Sequence, residues 1–160
     1  MKCLLVLLAV LGVTVASSDF TQITYKDCRS KFHVKNVELT ECQTIATETP
    51  GGCLFTPGTS PKLRITFESN ESDVSDLKTF VMAKFDDGAL MDYNLPEDDT
   101  CKYGNLACPL KEGTTYSYEQ SIKIDPSYPA DKFFALNWKI GKSKKSPEVC
   151  VVINGKIAKA

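Results

Sequence analysis

Between Lys62 and Phe67 the chain alternates apolar Leu63, Ile65 and Phe67 with polar Lys62, Arg64 and Thr66, the period-two pattern of a strand with one buried face. Val34 to Leu39 repeats it, with Val37 and Leu39 set against Asn36 and Glu38. The same rule predicts strands over Leu77 to Phe85, Thr115 to Ile124 (Tyr116, Tyr118, Ile122 and Ile124 on one side), Phe133 to Ile140 and Val149 to Ile157. That makes at least six. Between them lie turn clusters: Pro50-Gly51-Gly52, Pro57-Gly58-Thr59-Ser60-Pro61, Asp86-Asp87-Gly88, Gly113, Asp125-Pro126-Ser127-Tyr128-Pro129, and Gly141 to Pro147. No segment offers a three-turn helix with an apolar stripe. Short strands at this spacing predict an all-β chain, an immunoglobulin-like two-sheet antiparallel β-sandwich. Without an internal repeat, linker or low-complexity tract, one domain is expected.

The first residues change the compartment. Lys2, the apolar run from Leu4 to Val13, and then Ala16, Ser17 and Ser18 have the charge, length and exit of a secretory signal peptide. Residues 1–18 are expected to be removed by cleavage near 16–18, leaving 19–160 as the domain. The run is shorter than the ~20 apolar residues of a spanning helix, and no later stretch approaches that length. A soluble protein is expected, secreted to the extracellular space or delivered to the lysosomal lumen.

Cys3 leaves with the leader, so the seven cysteines of the chain become Cys28, Cys42, Cys53, Cys101, Cys108 and Cys150, an even set that an oxidising compartment can pair. Six cysteines allow fifteen pairings. Proximity favours Cys42 with Cys53 and Cys101 with Cys108, which leaves Cys28 for Cys150. A zinc site is the rival reading, but no histidine accompanies the cluster. Removing Lys2 takes the 19 basic residues to 18, against 20 acidic, so no net field attracts nucleic acid or an anionic membrane.

Catalytic chemistry is sparse. His33 is the one histidine, with no serine or cysteine nucleophile signature beside it, whereas triads and most catalytic metal sites need more. Asp86-Asp87 and Glu97-Asp98-Asp99 sit in loops beside Gly88 and Cys101, where solvated turn residues are the ordinary explanation. The expectation is no enzyme, no metal and no cofactor. Asn70-Glu71-Ser72 is a glycosylation sequon in a polar loop, which makes Asn70 a candidate modification site.

The stretch Cys101-Lys102-Tyr103-Gly104-Asn105-Leu106-Ala107-Cys108-Pro109-Leu110, followed by Gly113 and Tyr116-Ser117-Tyr118, resembles the Niemann-Pick type C (protein two) sterol carriers. These belong to the ML lipid-recognition domain family, with the mite group-two allergens and the co-receptor that presents lipid A. The likeness extends to Asp27-Cys28, Leu95-Pro96-Glu97, Tyr128-Pro129, Asn137-Trp138 and Cys150, in order along almost all of residues 19–160. It implies the same cysteine pairing, a two-sheet sandwich holding a hydrophobic lipid between its sheets, and no catalysis.

Periodicity cannot separate a packed core from a cavity, because both bury one face of every strand. The resemblance implies a cavity. Its expected lining is Val37 and Leu39, Leu63 and Ile65, Phe134, Leu136 and Trp138, Val149 and Val151. Positions matching the family's entrance are Met91, Tyr93, Ile124 and Tyr128. The family's lysosomal carriers have a proline-rich segment before Cys101, whereas residues 89–96 hold one proline here; one residue also looks added between Tyr128 and Trp138. Both departures fall around the entrance and imply a looser ligand choice than cholesterol alone. The expected function is a monomeric secreted carrier that solubilises and transfers a sterol, fatty acid or lipid-like signal compound, handing it to a membrane or receptor partner. The alternative is an innate-immune recognition module that binds microbial lipid for a receptor.

Overall fold

The computed structural model describes residues 19–45 and 52–159. The leader and Pro50-Gly51 of the first turn cluster lie outside the described residues. The strands are β1 (Thr21–Gln22), β2 (Lys26–Asp27), β3 (His33–Leu39), β4 (Gln43–Ile45), β5 (Gly52–Phe55), β6 (Lys62–Glu68), β7 (Lys78–Phe85), β8 (Leu90–Tyr93), β9 (Thr115–Ser121), β10 (Phe133–Gly141) and β11 (Val149–Ile157). One short helix, α1 (Thr100–Tyr103), sits between β8 and β9, with the Asp99 carboxylate accepting from the Lys102 amide at its start.

One sheet runs β1-β3-β6-β9 and the other β4-β5-β11-β10-β7-β8, with β2 beside the first half of β11. The two layers form a sandwich, as the alternation predicts. One pairing departs from the antiparallel expectation: β5 lies parallel to the end of β11 at Gly155 to Ile157. All six strands read from the pattern are present. β9 ends at Ser121, but its chain stays bonded through the Ile122 amide to Pro61 O (3.1 Å) and the Ile124 amide to Thr59 O (3.0 Å). In β3 the register against β6 slips between Val34 and Asn36. The bulge lets Val34 and Val37, an odd number of residues apart, both face inward.

The inner face of the larger sheet reads as four rows. Phe85, Phe134 and Gly155 form the first; Met91, Ala83, Leu136 and Ile153 the second; Tyr93, Val81, Trp138 and Val151 the third; Thr79, Ile140 and Val149 the fourth. Rows three and four meet the smaller sheet at the packed end, where Trp138, Ile140, Val149, Val151, Ile65 and Val37 have no exposed surface. There the Tyr118 ring stands edge-on to Trp138, centroids 6.2 Å apart. Its hydroxyl lies 3.0 Å from Thr79 Oγ1, which lies 3.0 Å from Thr100 Oγ1. This satisfied polar chain ties β9 to β7 and α1 inside the core.

Disulfides join Cys28 to Cys150, Cys42 to Cys53 and Cys101 to Cys108, the pairing expected from proximity. The first closes 122 residues, and in the chain-entropy model a loop of that size contributes about 4–5 kcal/mol.

Candidate functional site

Rows one and two, with Tyr93 at the edge of row three, do not pack shut as the rest of rows three and four do. A hollow of about 30 Å³ remains there, room for about two water-sized spheres. Its floor is Ala83, Phe85, Phe134 and Leu136, closed at the end by Phe55 and Ile157. Ile122 and Ile124, on the chain running on from β9, form the roof, and Met91, Tyr93 and Tyr128 the side wall. The last three are half-buried while the isoleucines are 5% and 4% exposed, so the hollow reaches solvent past the edge strand β8.

Three phenylalanines fill the space. The Phe134 ring lies 5.7 Å from Phe55 and 6.0 Å from Phe85, both tilted, within the ordinary range for aromatic pairs. Glycine is required beneath them: a Cβ on Gly155 would stand 2.5 Å from Phe55 Cε2 and 2.9 Å from Phe134 Cζ. An empty space costs about 24 cal/mol per Å³. A hollow of 300 Å³ would thus cost about 7 kcal/mol, against about 0.7 for the space left here. The rings therefore hold the hollow nearly shut in this conformation.

The side wall carries the only polar groups of the lining. Tyr93 Oη accepts from the Lys123 amide at 3.3 Å, a bridge from β8 to the chain that forms the roof. Burial, then the neighbouring Tyr93 and Asp125, push the Tyr128 phenol above its usual range. Tyr128 is held by a turn in which its amide donates to Asp125 O (3.0 Å) and the Asp125 carboxylate accepts from the Ser127 amide (2.8 Å). Below the entrance, Gly88 at φ +86° makes the β7–β8 turn, and Lys132 pairs with Asp87, linking that turn to the start of β10.

Of the positions expected to meet a ligand, Met91, Tyr93, Ile124, Tyr128, Phe134 and Leu136 come together on this hollow. Val37, Leu39, Leu63, Ile65, Trp138, Val149 and Val151 lie in the packed core, each at 2% exposure or less, and none lines it. Phe55, Ala83, Phe85, Ile122 and Ile157 were missed. Ala83 and Phe85 continue the alternation of Val81, Ile122 shares the Ile124 side of its strand, and Ile157 ends the final predicted strand, so each had a signal. Phe55 ends the run Gly52-Cys53-Leu54-Phe55, with no alternation to read. His33 opens β3 and is exposed. Among the described residues no group of three or more His, Cys, Asp or Glu could hold a metal ion, and no helix is long and apolar enough to cross a membrane.

The fold and the hollow define a class: a disulfide-braced two-sheet sandwich with an apolar space between its sheets. Residues 22–157 match the family described as the ML domain, and the chain belongs to that family. The protein heh-1 of Caenorhabditis elegans is 33% identical over 152 residues, 95% of this chain and 96% of that one. NPC intracellular cholesterol transporter 2 of Sus scrofa is 28% identical over 134 residues, 82% of this chain and 83% of that one. The crystal structure of a Niemann-Pick type C2 protein from Japanese carpenter ant superposes with a TM-score of 0.70 at 18% identity, covering 84% of this chain and 98% of that one, which shows the shared fold.

Proposed function

We propose that this protein is a secreted, non-enzymatic carrier that takes up a fatty acid or sterol between its sheets and releases it at another site. The observation that carries this reading is the hollow itself: eight side chains of the larger sheet and Ile122, Ile124 and Tyr128 of the chain after β9 surround it, and two tyrosine hydroxyls at the rim are their only polar groups. Likeness to a cholesterol transporter supports a lipid as the guest. Three formed disulfides support an oxidising compartment.

A hydrocarbon guest burying about 400 Å² would gain up to ~10 kcal/mol before association costs. Nothing in the lining offers a charge or a fixed donor array, so selection is by shape and the choice of ligand is broad. Entry requires Phe134, Phe55 and Phe85 to turn aside and the Tyr93 bridge to open. The guest then fills the space the rings vacate.

The test is protein secreted from eukaryotic cells and purified without denaturant, extracted for lipid and titrated with fluorescent fatty-acid and sterol probes. Saturable binding competed by unlabelled lipid is expected. Absence of both extractable lipid and probe binding would refute the carrier reading.

A further inference from the structure

At the end of the sandwich remote from the hollow, an open groove of about 620 Å³ runs between the β2–β3 connection and the loop after β6. Its volume is within the ~300–1,000 Å³ of sites that hold small ligands. Unlike the hollow, it is amphipathic. Tyr25, Phe32 and His33 supply rings, while Asp27, Glu68 and Glu112 supply carboxylates. Asn70 lies on its wall, exposed, as the first residue of Asn70-Glu71-Ser72.

The Asn70 side chain is already aimed. Its Nδ2 donates to Lys31 O at 2.8 Å, across to the opposite bank. A primary amide has two N–H groups, and that bond uses one. We propose that Asn70 carries an N-linked glycan whose first sugars lie in this groove, over Tyr25 and His33 and within reach of the Glu68 and Glu112 carboxylates. The inference rests on the secretory route proposed above and is independent of lipid carriage.

In the transfer, Asn70 Nδ2 bonds to the anomeric carbon of an oligosaccharide carried on a polyprenyl diphosphate. The anomeric C–O bond breaks, its electron pair leaves with the diphosphate, and one Nδ2 proton is lost to the transferase. The remaining N–H keeps Lys31 O as acceptor. The linkage thus stays pinned across the groove while the sugar replaces the outward hydrogen. Sugar hydroxyls facing Glu68, Glu112 and Asp27 become donors to carboxylates, and their C–H faces cover the rings.

Secretion from eukaryotic cells tests both parts. Intact mass should show a glycan-sized increment, removed by a glycan-cleaving amidase and absent from Asn70→Gln and Ser72→Ala. Amide hydrogen exchange over residues 25–34 and 68–70 should be at least about threefold slower in the glycosylated protein than in Asn70→Gln, with exchange around the hollow unchanged. Secreted wild type at its unmodified mass would overturn the inference and leave the carrier reading standing. A mass increment with equal exchange in the two proteins would overturn the seat in the groove. Retention inside the cell with reduced cysteines would overturn this inference together with the secretory route.

Discussion

Phe134→Ala separates a filler ring from a core ring. Replacing the side chain removes roughly 100 Å³ from beside a hollow of about 30 Å³, and at ~24 cal/mol per Å³ the new space alone costs about 2.4 kcal/mol. With the lost transfer energy the total should fall in the usual 3–5 kcal/mol for removing a buried aromatic ring, roughly a 10 °C fall in melting temperature for a domain of this size. Ile140→Ala, in the fourth row, should cost a comparable 2–5 kcal/mol. The two differ in what a ligand restores. In wild type a guest must first displace Phe134, whereas in Phe134→Ala the space already stands open, so affinity rises and saturating ligand recovers much of the loss. At a hundredfold excess over Kd, binding to the native state adds about 2.7 kcal/mol. Thermal unfolding with and without a fatty-acid or sterol probe should show a larger ligand-induced increment for Phe134→Ala than for wild type, and an unchanged one for Ile140→Ala. Equal increments in all three proteins, or a smaller one in Phe134→Ala, would refute the assignment of Phe134 to the ligand's place.

Tyr93→Phe deletes the bond to the Lys123 amide at a stability cost of about 1 kcal/mol or less; stopped-flow exchange of bound probe should quicken several-fold, and an unchanged rate would show that the bridge does not limit exchange. Gly155→Ala forces a methyl against Phe55 and Phe134, so it should destabilise by about 1–3 kcal/mol and reduce ligand binding; a neutral variant with normal binding would contradict the close approach. Glu68, Asp87 and Asp131 have carboxyls held below their usual range by hydrogen bonds and charge from Lys35, Lys132 and Lys159 respectively. Their stabilisation is complete above the ordinary values of 4.5 and 3.8 and is lost as pH falls through the lowered ones. Burial raises the Tyr118 phenol, so its stabilisation is complete below its ordinary value of 10.0 and is lost as pH rises beyond it. Melting temperature should therefore show no loss from these carboxyls between pH 7 and pH 5, then decline below about pH 4.5 and above about pH 10; a carboxylate-linked loss already at pH 6 would contradict this.

Alternation along single strands carries local information, because a side chain's face depends only on its parity within the strand. Hence Leu63, Ile65, Phe67 and the rows of β10 and β11 were legible as buried, and the even cysteine set as a staple. The short strands β1, β2, β4, β5 and β8 were not, since two to four residues hold too little period to read. The parallel contact of β5 with β11 and the bulge at Lys35 are likewise invisible, being set by partners distant in the chain.

Parity also cannot say whether an inward residue finds a partner across the sheets. Leu136 and Trp138 sit two apart on β10 with the same pattern, yet one borders the hollow and the other is fully packed. That difference arises across the layers: Tyr118 of β9 closes on Trp138, while Ile122 and Ile124, carried on in the same pairing to Pro61 and Thr59, leave the hollow between themselves and Leu136. The residue sequence thus dictates which faces are greasy and which cysteines exist to brace them. Where the faces fail to meet, and so where a guest has room, is settled by the three-dimensional stacking of the sheets, because a void belongs to no residue but to the gap among many.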